Sequence, residues 1–90
     1  MTHYIALVHK DANSAYGVTF PDLPGCFSAA DEEQDLIANA IDALALWAED
    51  GALPTPSSIA TIRTMGEIAR ELRDGAFLLA VPAPAVSNAA

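Results

Sequence analysis

Imidazole, thiol and carboxylate groups carry most acid–base, nucleophilic and metal chemistry, and this 90-residue sequence offers two histidines, one cysteine and twelve acidic residues. His3 and His9 fall at even separation on an extended segment. They share a face but stand roughly 20 Å apart at ~3.3 Å per residue, too far to hold one metal. Cys26 has no second cysteine at metal spacing and no adjacent base to depress its pKa, so it reads as a small core residue beside Phe27. Asp11, Asp22, Asp31 and Asp42 could assemble a two-metal nuclease centre on a sheet. Such a centre wants a carboxylate in the middle of the first strand, where this sequence has Ile5, Ala6 and Leu7. The run Asp31, Glu32, Glu33 and Asp35 suits the positive end of a helix dipole, and an exposed helix start of that kind also presents charge to a basic partner. No Gly-rich phosphate loop, Ser-His-Asp spacing or dinucleotide fingerprint occurs. Trp47, Tyr4 and Tyr16 are not interleaved with bases as a single-strand nucleic-acid platform requires. No catalytic, metal or cofactor residue is expected.

The elements that position these residues follow from pattern. His3 to Lys10 is apolar on both alternating faces at its centre, the mark of a central strand. Asp11 to Ser14 are turn formers, and Tyr16, Val18 and Phe20 alternate with Gly17 and Thr19 as a second strand of a hairpin. Pro21-Asp-Leu-Pro-Gly25 is a tight corner, with Gly25 free to take the positive φ of a type II turn. A third strand follows over Cys26–Ala29, antiparallel to the second. Asp31 with Gln34 three residues on reads as a capped helix start, and the apolar stripe Leu36, Ala40, Ala43, Leu44 and Trp47 carries that helix to about Asp50, with Gly51 as its stop. Pro54 and Pro56 force an extended link, Ser57-Ser58 can cap a short turn, and Met65 to Arg73 has the propensities of a second helix. Ala76 to Val81 is a continuous apolar run between Gly75 and Pro82, a strand covered on both faces. Residues 1–82 thus form one α+β domain of order β-β-β-α-(α)-β: an antiparallel three-stranded meander plus a crossover strand, with the long helix packed on one face. Crossover handedness favours the last strand lying beside the first and parallel to it. Residues 83–90 have little reason to pack and read as a flexible tail or linker.

Composition narrows function. A formal charge of −8, from twelve acids against Lys10, Arg63, Arg70 and Arg73, repels phosphate backbones and speeds encounter with a basic protein. No nucleic-acid binding is expected through this domain. With one cysteine, no signal-peptide pattern and no apolar run near the roughly 20 residues that span a bilayer, the expected setting is cytoplasmic, without membrane contact.

The segment Tyr16-Gly-Val-Thr-Phe-Pro-Asp-Leu-Pro-Gly-Cys-Phe-Ser-Ala29, the later Ala38-Asn39-Ala40 with Ala43-Leu44, and Leu53-Pro-Thr-Pro-Ser57 resemble the HicB family of antitoxins. The likeness runs from about Tyr4 to Pro82. It implies a partly degraded ribonuclease-H-like fold that self-associates as a homodimer or larger oligomer and silences HicA, a small basic toxin that cleaves messenger RNA, by covering its active site. Asp22, Asp31, Glu32, Glu33 and Asp35 are then the expected partner contacts. Where family members often carry a glycine and an Asp-Thr pair, this sequence has Ala30-Asp31-Glu32. The operator-binding C-terminal module usual in the family is absent by Ala90, so the sequence reads as a solitary domain or as a piece ending in a linker. Two other readings are a residual metal-dependent nuclease and a structural module that self-associates through the sheet face away from the long helix.

Overall fold

The structure, a computed structural model, describes residues 2–10 and 13–83. Its four strands are β1 (His3–Lys10), β2 (Tyr16–Thr19), β3 (Phe27–Ala30) and β4 (Phe77–Pro82), in the spatial order β3-β2-β1-β4. Between β3 and β4 come a single 3₁₀ turn (Glu33–Asp35) and three α-helices, α1 (Leu36–Ala48), α2 (Ile59–Arg63) and α3 (Gly66–Arg73). The meander is antiparallel as expected, and its register sets Leu7 opposite Thr19 and Val18 opposite Ser28.

Because side chains alternate across a strand, β1 splits its apolar residues between two cores. Tyr4, Ala6 and Val8 pack with Val18, Val81 and the α1 residues Leu36, Ala40 and Leu44. Ile5 and Leu7 pack on the other face with Ile62 of α2 and Ile68 of α3. A strand apolar on both sides therefore has a helical layer on each. The face away from α1 is not bare over β1, as a self-association surface there would need, because α2 and α3 cover it.

β4 pairs with β1 antiparallel, Tyr4 opposite Val81 and Val8 opposite Phe77, and not parallel as the crossover rule favours. That rule governs a connection that stays on one face of the sheet. Here the chain leaves α1 and runs past Tyr4 and Asp22, whose side chains bond Pro54 and Ser57. It thus rounds the end of the sheet where β1 begins, and adds a second helical layer before returning.

The long helix starts later than the acids suggest. Asp31 and Glu32 form a bend, the 3₁₀ turn follows, and neither Glu32 nor Asp35, the residues that precede the two helical segments, makes a side-chain cap bond. The acids still flank the positive end of the dipole, but the capping box does not form. At the other end α1 tightens into i→i−3 bonds, Glu49 N–H to Leu46 O and Gly51 N–H to Ala48 O, so it closes at Ala48 and not Asp50. Ser58 does cap α2, its Oγ accepting from Thr61 N–H at 3.1 Å. The third strand begins at Phe27, one residue late, because Cys26 belongs to the corner. Asp11 and the tail beyond Ala83 lie outside the described residues.

Candidate partner-binding surface

The corner between β2 and β3 consists of two successive turns, each with proline at its second position. Leu23 N–H bonds Phe20 O and Cys26 N–H bonds Leu23 O, both at 3.0 Å, and Gly25 sits at φ +84°, the type II geometry its sequence implies. Two elements clamp this corner, and Tyr4 anchors the link that supplies one of them. Trp47 Nε1 of α1 donates to Pro24 O at 3.0 Å. Asp22 accepts twice from Ser57, at Oδ2 from the backbone N–H (2.6 Å) and at Oδ1 from the hydroxyl (2.8 Å). Tyr4, buried in the first strand, donates its hydroxyl to Pro54 O. The two proline-rich segments of the sequence thus bind each other through Asp22, across 35 residues.

Burial, and after it the charge of Asp22, push the Tyr4 phenol above its ordinary pKa of 10.0. The folded state therefore favours the neutral phenol. The sign follows: this contribution to stability is fully present below about pH 10 and is lost as pH rises through the folded pKa. Tyr4→Phe should cost about 1 kcal/mol at neutral pH by removing one hydrogen bond. It should also flatten the alkaline decline, so that urea melts of the two proteins converge above pH 10.

Asp31, Glu32, Glu33 and Asp35 are all exposed, and no ion pair engages them among the described residues. Asp42, Glu49 and Asp50 continue the series along α1, also exposed, so seven of the twelve acids line one helix and its approach. No Lys or Arg occurs between Lys10 and Arg63. The arginines lie on α2 and α3, under the opposite face of the sheet. The molecule is accordingly polarised, with an acidic α1 side and a mixed-charge α2–α3 side.

Of the five expected contact residues, the four of the helix start are brought together at one end of α1. Asp22 stands apart from them: half-buried, it lies two residues from the Pro24 carbonyl that Trp47 bonds at the far end of the helix, about 20 Å away at 1.5 Å per residue. Both its oxygens are engaged by Ser57. Asp22, Asp31 and Asp42 do not converge, and no three metal-ligating side chains meet among the described residues. Cys26 is buried, donates weakly to Ala43 O at 3.7 Å, and has its thiol pKa pushed up by that burial. His3 is exposed, while His9 stacks against Gly17 so closely that a Cβ there would meet Nε2 at 2.7 Å.

Two features escape sequence reasoning. One is a groove of about 790 Å³ between β1, β2 and α3, walled by Leu7, His9, Phe20, Met65, Ile68 and Arg70. The other is an exposed apolar pair, Phe27 and Leu46, each 66% accessible and lining one shallow depression with Trp47. Leu46 lies off the stripe Leu36, Ala40, Ala43, Leu44 and Trp47 and, like Ile37 at the start of the helix, faces water.

Among the described residues no helix is long and apolar enough to cross a membrane. Residues 4–80 match the family described as HicB-like antitoxin of bacterial toxin-antitoxin system. Among solved structures, the chain is similar to the N-terminal domain of the Burkholderia pseudomallei antitoxin HicB, with 30% identity, TM-score 0.73, and coverage of 90% of this chain and 96% of that one. A HicA3 and HicB3 toxin-antitoxin complex matches at 26% identity and TM-score 0.69 over 91% and 98% of the two chains. The longer B. pseudomallei antitoxin HicB matches at 29% identity and TM-score 0.73, over all of this chain and 75% of that one. No curated protein matches. The corner, its clamp and the sheet order all fall within the matched stretch, and the chain belongs to the HicB-like antitoxins of bacterial toxin–antitoxin systems.

Proposed function

We infer that this chain neutralises a small basic, messenger-RNA-cleaving toxin of the HicA type, in the cytoplasm, by covering the toxin's active site and not by catalysis. The carrying observation is the polarised surface: an exposed acidic series along α1, with no ion pair among the described residues, in a family whose relatives include a HicA3–HicB3 complex. Basic side chains that a toxin uses on RNA phosphates are complementary to such a surface, which steers encounter and fixes register. Asp31, Glu32, Glu33 and Asp35 are the contacts. Asp22 serves the interface by holding the corner in shape. Nucleic acid is repelled by the same field.

The test is charge reversal with a matched control. Glu32→Lys with Glu33→Lys should weaken binding to the cognate toxin by roughly tenfold or more at low salt, mainly through slower association, and restore RNA cleavage in the mixture. Glu67→Lys, on the α2–α3 side, should leave both unchanged. Equal effects of the two reversals, or none from the first, would place the interface elsewhere.

A further inference from the structure

Leu46 is 66% accessible, and Asp42, Glu49 and Asp50 are its neighbours one turn away along α1 and past its end. All three acids are exposed, and no ion pair engages them among the described residues. Leu46, Trp47 and Asp50 line one side of a depression of about 260 Å³, with Phe27 of β3 and Cys26 of the corner on the other. Sites for whole small molecules run to about 300–1,000 Å³. This one has room for a single side chain.

The walls are held in place before anything binds. Trp47 Nε1 donates to Pro24 O at 3.0 Å, which pins the indole to the corner, and Phe27 sits in the β3 ladder opposite Thr19. The chain's own cations are elsewhere. Lys10 stands over the Tyr16 ring, 5.7 Å from its centroid, and Arg63, Arg70 and Arg73 lie on α2 and α3.

Two aromatic rings and a leucine beside a carboxylate select among occupants. A wholly apolar group would strip water from Asp50 and return no hydrogen bond. An ammonium is a compact, strongly hydrated charge, which Phe27 and Leu46 would desolvate. A guanidinium is planar, delocalised and weakly hydrated; it stacks on aromatic faces and donates from its edge to a carboxylate.

We propose that this depression is a guanidinium-binding site, which takes one arginine side chain of a basic partner protein against Phe27 and Trp47 with its edge donating to Asp50. The net charge of −8 draws such a group in. Buried arginine and aromatic contacts are the kind that dominate the energy of an interface. The source of the arginine rests on the toxin reading. The site itself does not, since it lies at the opposite end of α1 from Asp31 to Asp35, about 20 Å away at 1.5 Å per residue.

Trp47 is the sequence's single tryptophan, so its fluorescence reads the site directly. N-acetyl-arginine amide titrated into the 90-residue chain at low salt should change the emission saturably, with a dissociation constant in roughly the millimolar range. The citrulline analogue, of the same shape without the charge, should leave the emission unchanged, and the lysine analogue should bind more weakly. Phe27→Ala and Asp50→Asn should each raise the dissociation constant roughly threefold or more while circular dichroism stays native. Glu32→Lys with Glu33→Lys should leave it unchanged. In the mixture with the cognate toxin, Phe27→Ala should speed dissociation of the complex, whereas the double reversal acts on association. Equal responses to the arginine and citrulline amides, or wild-type arginine binding by Phe27→Ala and Asp50→Asn, would overturn the site. Arginine binding that both variants lose with toxin affinity unchanged would overturn its role as the partner's anchor. The toxin reading fails separately, on a double reversal that leaves toxin affinity intact.

Discussion

Leu44→Ala is expected to lower stability by about 3–5 kcal/mol, since the cost of removing a buried leucine is the lost transfer energy plus the cavity left behind. Leu44 is fully buried between α1 and the first core, among Tyr4, Ala6, Val8 and Val81. On either side of it α1 is held by fixed bonds, Asn39 to β3 and Trp47 to the corner. The helix therefore has little freedom to settle into the gap, which favours the upper half of the range. A domain of this size has on the order of 5–13 kcal/mol in total, so the variant should be marginal at 37 °C. Leu46→Ala, two residues along and 66% exposed, should change stability by less than about 0.5 kcal/mol. Urea melts of the pair with equal slopes and widely separated midpoints would locate the effect in burial. Equal midpoints would mean that α1 does not pack as described.

How much of this could be read in advance depends on the range of the signal. Strand alternation in His3–Lys10 and the Leu-Pro-Gly turn at Leu23–Gly25 are local, and both stand where the sequence puts them. The double apolar face of β1 also announced a sheet covered on both sides, yet the bare face assigned to self-association contradicts that announcement; α2 and α3 resolve it. The capping box failed for a physical reason. Asp31 and Glu32 form a bend, Glu32 with extended dihedrals, and the chain then tightens into the 3₁₀ turn Glu33–Asp35, so the helix proper starts at Leu36, well past Asp31. The direction of β4 was illegible because it depends on which end of the sheet a proline-rich link passes, and that is decided by Asp22, Tyr4, Pro54 and Ser57 across 35 to 50 residues. For the site, the acids at Asp31 to Asp35 were legible as charge. That Asp22 differs from them was not, since nothing local distinguishes a carboxylate that binds inward from one that faces water.

Asp22 can be separated from those acids experimentally. Asp22→Ala is expected to cost about 2–4 kcal/mol, because it removes two charge-assisted hydrogen bonds and leaves the half-buried Ser57 N–H without its acceptor. For a domain of this size that is a fall in Tm of roughly 10–25 °C. Asp22→Asn keeps an acceptor for one of the two Ser57 donors and should lie between. Ser57→Ala alone loses the hydroxyl bond but keeps the backbone one, and should cost about 1 kcal/mol. The cycle Asp22→Ala with Ser57→Ala should therefore be non-additive by about 1 kcal/mol, whereas Asp22→Ala with Glu33→Lys should be additive, the two sites lying at opposite ends of α1. Toxin affinity supplies the decisive contrast. If Asp22 works through the corner, its loss weakens binding only as far as it populates the unfolded state, and cooling the mixture recovers full affinity. If Asp22 itself touches the toxin, affinity stays low at every temperature where the domain is folded, and the carboxylate has to be released from Ser57 when the partner docks.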